Sequence, residues 1–325
     1  MSDLKLNVST APHVRTSEST TSIMRHVLIA LTPALLAGTY FFGFRSLILA
    51  AICVASCIGF EYIYQKLMKR PVTVGDLSAA VTGLLLALTL PVTASWWLCV
   101  IGSAVAILLA KQLFGGIGDN FLNPALTARA VLLASWPARM SGAAFVTPNL
   151  LGSVDSVSSA TPLAYGAKLA NGTSMLDLFI GKIPGTIGEV CKIAILLGFV
   201  YLLVTHVISW HVPVIIVLST GLFTWLFSGG GIETPLIAMH QGGKLFGAVF
   251  MATDYSTCPM TATGQVIFAL GIGLLTAVIR RFAGYPEGVT YAILFMNIVT
   301  PLLDKYIKPR IYGEVKEKKE GEKVA

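Results

Sequence analysis

Residues 47–64 read LILAAICVASCIGFEYIY, and Glu61 is the one charge among them. A helix that crosses the hydrocarbon core of a bilayer needs about 20 mostly apolar residues. This run approaches that length. The basic residues Arg45 and Lys66 stand just beyond its ends, where lipid headgroups would hold them. Residues 23–42, 95–113 and 187–207 read the same way. Residues 212–227, 235–251 and 289–303 are shorter, and 77–90, 121–136 and 266–279 are short or flanked by polar residues. Together they make about ten apolar segments of spanning type. Short segments interrupted by Gly or Pro point to broken helices, whose free backbone groups must be covered by protein or line a cavity.

Composition agrees. Of the 325 residues, 55% are hydrophobic and only 12% charged, against roughly 25% charged in a soluble domain. So few charges cannot cover a soluble fold, whereas a surface facing lipid needs none. No hydrophilic block is long enough for a separate soluble domain. The formal charge of +7 raises the question of a polyanionic partner. The basic residues lie at segment ends and in the tail, not in a stripe among aromatics. That argues against nucleic acid and for anionic membrane lipid. Cys53 and Cys57 share one helix face, but no second close pair completes a four-ligand metal set, so they read as small packing residues.

The expected fold is an all-α polytopic membrane protein of the cell (inner) membrane. It would have an N-terminal cytoplasmic segment (1–22), a first half (23–136), an extracytoplasmic loop (137–184), a second half (185–307) and a basic cytoplasmic tail (308–325). Segment 1–22 lacks the basic-then-apolar order of a signal peptide, so the first apolar run is expected to remain. Gly75-Asp76 opens a short segment in the first half, as Gly231-Ile232-Glu233 does in the second. Gly115–Gly118 and Gly284–Gly288 each precede the last segment of a half. With about five spans each, the halves would be inverted repeats. Arg15, Arg25, Lys66, Lys69, Arg70 and Lys111 then lie inside with both termini. Arg280-Arg281 would fall outside, which demands either a partner there or a different count.

Within the outer loop, Asp155-Ser156-Val157-Ser158-Ser159-Ala160-Thr161-Pro162 taken alone reads as a turn. Its core, Ser158-Ser159-Ala160-Thr161 after Asp155, resembles the flavinylation site of the NqrB/RnfD family of membrane flavoproteins. Four other stretches resemble that family in its order: Gly75–Gly83 with Leu90-Pro91, Gly115–Ala125 containing Asn120 and Asn123, Phe250–Asp254 with Cys258–Thr261, and Gly284–Val289 with Asn297. The resemblance covers roughly residues 23–313. It implies FMN joined by a phosphoester to Thr161, attached by a flavin transferase. It also implies a second, non-covalent flavin, riboflavin, near Asn120 and Asn123. Ser159 stands where the family often has glycine. The short N-terminal segment makes the chain more similar to the RnfD branch than to the B subunit of the sodium-pumping NADH:quinone reductase. The RnfD branch implies a subunit of a complex that moves electrons between ferredoxin and NAD+ and translocates Na+ or H+, with the other subunits as partners.

Residues carry their own readings beside the resemblance. Asn123 before Pro124 can cap a helix, and Asn carboxamides can also hydrogen-bond a flavin edge. Glu61, Arg129 and Lys244 lie inside apolar segments, where a charge is expensive. Asp76, Glu233, Asp254 and Glu287 lie at segment ends. Each can serve in an ion pair or a cap, with Arg129 or Lys244 as cationic partners. Asp254, Asp76 and Glu287 are candidates for cation coupling. His206 and His211 read as interfacial residues. No glycine-rich phosphate loop and no CxxC cluster is present, so neither an NAD site, a ferredoxin site nor a whole iron–sulfur site is expected in this chain. A non-redox transporter of inverted-repeat build remains open, and covalent flavin separates the two readings.

Overall fold

The structure is a computed structural model that describes residues 19–147, 179–228, 243–283 and 288–308. Its regular elements are helices. Helix α1 is Thr20–Phe42, α2 Phe44–Leu67, α3 Ser78–Leu88, α4 Trp96–Ala104, α5 Pro124–Ser135, α6 Lys192–Val204, α7 His211–Ser228, α8 Ala262–Phe282 and α9 Gly288–Tyr306. Two of the helical runs widen into π-turns: α4 continues through Val105–Leu109, and a short helix Lys244–Phe246 continues through Gly247–Met251. Among the described residues, four helical runs are long and apolar enough to cross a membrane: Thr20–Phe42, Phe44–Leu67, Trp96–Phe114 and Ala262–Phe282. Large apolar side chains such as Leu36, Phe44, Ile48, Leu197, Leu222 and Phe295 are exposed along the helices. That outer surface suits hydrocarbon and would aggregate in water.

Local chemistry accounts for the helix ends and the close packing. Ser19 caps α1 by accepting from the Ser22 N–H at 3.2 Å. Pro33 lacks the N–H that would bond Ile29, and the Thr32 hydroxyl donates to that carbonyl instead, at 2.7 Å. Gly43, at φ 77°, makes the sharp turn from α1 into α2. Every residue of α3 is buried. A Cβ on Gly83 would come within 2.7 Å of the Val54 Cα, so α3 lies directly on the backbone of α2. Gly198 lets α6 meet the Ala30 carbonyl of α1, and Gly273 seats α8 on Ser219 of α7. Helix α5 packs against α9, α3 and the π-turn after α4, so early and late elements of the chain share one core.

Two expectations need correction. Helix α8 runs Ala262–Phe282, beyond the expected 266–279 at both ends. The hydroxyl of Thr261 caps it, and polar Gln265, Arg280 and Arg281 belong to it, although hydropathy alone trims them away. Conversely, α6 starts only at Lys192, not at Ile187. Residues Ile187 and Gly188 donate their N–H groups to the Leu90 and Leu88 carbonyls at 3.1 and 2.8 Å, closing the end of α3 instead of starting a helix. Beyond α5 the chain stays packed over its described residues: Met140, Phe145 and Val146 are buried, and the Thr93 hydroxyl donates to the Ala144 carbonyl at 2.6 Å.

Candidate functional site

At the end of the bundle bearing the α1 N-terminus lies a cavity of about 410 Å³. Apolar walls come from Val27, Val81, Leu85, Leu202, Val249 and Phe250, and polar groups from Asn120, Asn123, Lys111, Ser78 and Asp254. Ligand pockets run about 300–1,000 Å³ and combine mostly apolar walls with a few placed polar groups. Both π-turns feed it. One leads through Ala110 to Lys111, and the other through Ala252 and Thr253 to Asp254. Such turns re-aim side chains and recur at functional sites.

The two asparagines differ in what they have left to offer. Asn123 caps α5: its side-chain oxygen accepts from the Leu126 N–H at 3.2 Å, and its amide donates to the Met251 carbonyl at 3.3 Å. Its backbone N–H reaches the Asn297 carboxamide oxygen at 3.2 Å once that amide is turned to donate to Ile293. The Asn123 amide is therefore already engaged at both ends. Asn120 is different. Its buried Oδ1 has no hydrogen-bond partner among the described residues. A buried acceptor left unsatisfied costs about 1–3 kcal/mol, so a donor on a bound molecule would find it ready.

Behind the cavity wall lies a polar chain. Glu61 and Lys111 are each only 1% exposed. Lys111 Nζ donates to both Glu61 oxygens at 2.9 Å and to the Ser78 hydroxyl at 2.6 Å. Gln112 donates to Glu61 at 2.8 Å. Ser78 donates in turn to Asp76 Oδ1 at 2.6 Å, and Asp76 also accepts from the Ser78 N–H at 2.8 Å, at the start of α3. Lys111, expected at the inner membrane surface, is instead the buried counter-charge of Glu61.

Asp254 lines the cavity and accepts from the Ser256 hydroxyl at 3.2 Å. Burial pushes its carboxyl above the ordinary value, against hydrogen bonds from Ser256 and the Tyr255 backbone that pull it down. Burial, with Asp254 and Asp304 nearby, pushes the Cys258 thiol up to about 12, so it stays protonated at neutral pH. His211 Nε2 meets Gln265 at 2.5 Å, and no metal-ligating cluster occurs among the described residues.

A second charged group gathers at the opposite end. Arg129 pairs with Glu189 at 3.7 Å and donates to the Thr89 carbonyl. Its described carboxylate partner is thus none of the segment-end acids. Glu189 was passed over in sequence because it stands beside an apolar run. Lys192 donates to the Glu189 carbonyl, and Arg280 shares a narrow pocket with Arg129 and Glu189. This is the end at which 137–147 packs, so Arg280 has company there. The flavinylation-type residues Asp155, Ser158, Ser159 and Thr161 lie outside the described residues, as do Glu233 and Glu287.

Comparison with known proteins adds a separate line. The model of the NQR2, RnfD, RnfE family matches residues 7–313. The D subunit of the Na(+)-translocating ferredoxin:NAD(+) oxidoreductase complex of Acetobacterium woodii is 48% identical over 99% of both chains. The D subunit of the proton-translocating ferredoxin:NAD(+) oxidoreductase complex of Clostridium ljungdahlii is 42% identical over 94% of this chain and 96% of its own. The D subunit of the ion-translocating oxidoreductase complex of Erwinia tasmaniensis is 34% identical, covering 97% of this chain and 100% of its own.

Proposed function

The chain belongs to the NQR2, RnfD, RnfE family, and we propose on that footing that it is the D-type membrane component of an ion-translocating ferredoxin:NAD+ oxidoreductase. The observation that carries this is the match to a protein of that description at 48% identity along essentially the whole of both chains. In this reading the chain works beside the other Rnf-type subunits, which hold the ferredoxin and NAD+ chemistry. It sits in the cell membrane as about ten spans in two inverted halves, both termini inside.

Two flavins would give it a redox role. FMN would be carried on Thr161 in the outer loop, with Asp155, Ser158 and Ser159 forming the motif a flavin transferase reads. Riboflavin would occupy the cavity at the inner end. The fit there rests on apolar walls, a volume of about 410 Å³ and the Asn120 Oδ1, which has no hydrogen-bond partner among the described residues. Bound flavin supplies one- and two-electron chemistry that the side chains lack. The chain's own part is to bind and tune. Asn120 accepts from the ring edge, and the walls from Val81, Leu85 and Phe250 keep water away. Asn123 and Asn297 hold α5 against α9, so the cavity keeps its shape. Asp76, Asp254 and Glu287 are the carboxylates that would serve cation coupling. To test the reading, membranes of a strain lacking this chain are assayed for ferredoxin-dependent NAD+ reduction and cation uptake. Both are lost and return with the gene. Undiminished activity in the deletion strain refutes it.

A further inference from the structure

The polar chain has two members, Lys111 and Ser78, in the wall of the cavity. Its other end is Asp76, half-buried between exposed Gly75 and the start of α3. We propose that Asp76, Ser78 and Lys111 form a proton-delivery path from the water at this end of the bundle into the flavin cavity. Lys111 is the terminal donor and Glu61 its counter-charge. The proposal deepens the flavin reading of the cavity and rests on it.

The links are short and continuous: 2.6 Å from Lys111 Nζ to Ser78 Oγ, and 2.6 Å from Ser78 Oγ to Asp76 Oδ1. A hydroxyl can accept and donate at once, so Ser78 can pass a proton along once its hydrogen turns from Asp76 to a Lys111 that has given up its own. The balance is simple. Lys111 gives one proton to the basic nitrogen of a reduced flavin, whose electron comes from a redox carrier in a partner protein of the complex. Ser78 returns its hydroxyl hydrogen to Lys111 Nζ. Asp76, protonated from water, supplies Ser78 Oγ. One proton has crossed from water to cavity, every residue has regained its starting form, and none has gained or lost an electron.

Glu61 keeps Lys111 charged, and so holding a proton to give, in so dry a place. A lone buried ammonium is costly, and a carboxylate with further hydrogen bonds offsets that cost. When Lys111 is briefly neutral, Glu61 still accepts from Gln112 at 2.8 Å and Gln65 at 3.3 Å. The other groups facing Lys111 are the Cys57 thiol on α2 and, across the cavity, Asp254.

The test uses the full-length chain in lipid nanodiscs, in a Thr161→Ala background so that the cavity flavin is the only one. Non-covalent flavin is first extracted and quantified. A light-driven one-electron donor then reduces the sample while a pH dye follows proton uptake. Ser78→Ala is expected to keep its flavin but take up protons about tenfold or more slowly. Ser78→Thr restores the rate, and Asp76→Asn, which keeps an oxygen to accept from the Ser78 N–H, is as slow as Ser78→Ala. Wild-type uptake in Ser78→Ala, or Ser78→Thr as slow as Ser78→Ala, overturns the path while the flavin reading stands. A parent chain with no extractable flavin overturns both, and the content measurement tells the cases apart.

Discussion

Replacing Lys111 by Met tests how the polar chain is held together. The substitution removes a side chain that is 1% exposed and strands a carboxylate that is equally buried. Glu61 keeps the Gln112 and Gln65 amides but loses two charge-assisted bonds of 2.9 Å. Removing one partner of a buried pair costs about 3–5 kcal/mol, a factor of a hundred to several thousand in the folded-to-unfolded ratio, taking about 1.4 kcal/mol per tenfold. Replacing both, as Glu61→Gln with Lys111→Met, leaves no buried charge and is expected to fall within about 1 kcal/mol of wild type. The assay is unfolding of the purified chain from mild-detergent micelles by titration with a denaturing detergent, followed by tryptophan fluorescence. A double variant as unstable as Lys111→Met would refute the reasoning, because the cost would then come from lost packing and not from the stranded charge.

Other perturbations follow from single contacts. Asp254 has a folded-state pKa raised above its ordinary 3.8, so the folded chain binds that proton more tightly than the unfolded one. Its stabilising effect is full below the ordinary value and is lost as pH rises through the folded value. Asp254→Asn is therefore expected to raise the apparent Tm at pH 7, with the gap to wild type closing as pH falls towards 3.8; a gap that does not depend on pH would contradict this. Gly83→Ala forces α3 away from Val54, whose Cα would lie 2.7 Å from the new Cβ. It is expected to cost about 1–3 kcal/mol in the same unfolding assay. Asn120→Ala removes the carboxamide oxygen that has no partner among the described residues. It is expected to deplete acid-extractable flavin while leaving the unfolding midpoint near wild type; retained flavin would count against the site.

Much of the fold was legible because membrane residence leaves a coarse mark. A chain with 12% charged residues cannot cover itself in water, and runs such as 47–64 locate α2 to within a turn. Pairings were not legible. Glu61 and Lys111 stand 50 positions apart, and nothing in either local pattern says that α2 and the end of α4 meet there. Hydropathy also misjudges ends. It dropped the polar first turn and the arginines from α8, and it extended α6 over residues that close α3. Asn120 and Asn123 look equivalent in sequence, and only their partners separate a helix cap from a group with an acceptor to spare. Glu189 shows the same limit, since its role depends on Arg129 arriving from α5.

The central claim, that this is a flavin-carrying redox protein, is tested most directly at Thr161. The chain is coexpressed with a flavin transferase, purified, denatured and run on a gel under ultraviolet light. The expected result is a fluorescent band at the position of the chain, which disappears in Thr161→Ala and is kept in Ser159→Gly. A dark wild-type band, or fluorescence that survives Thr161→Ala, would contradict it.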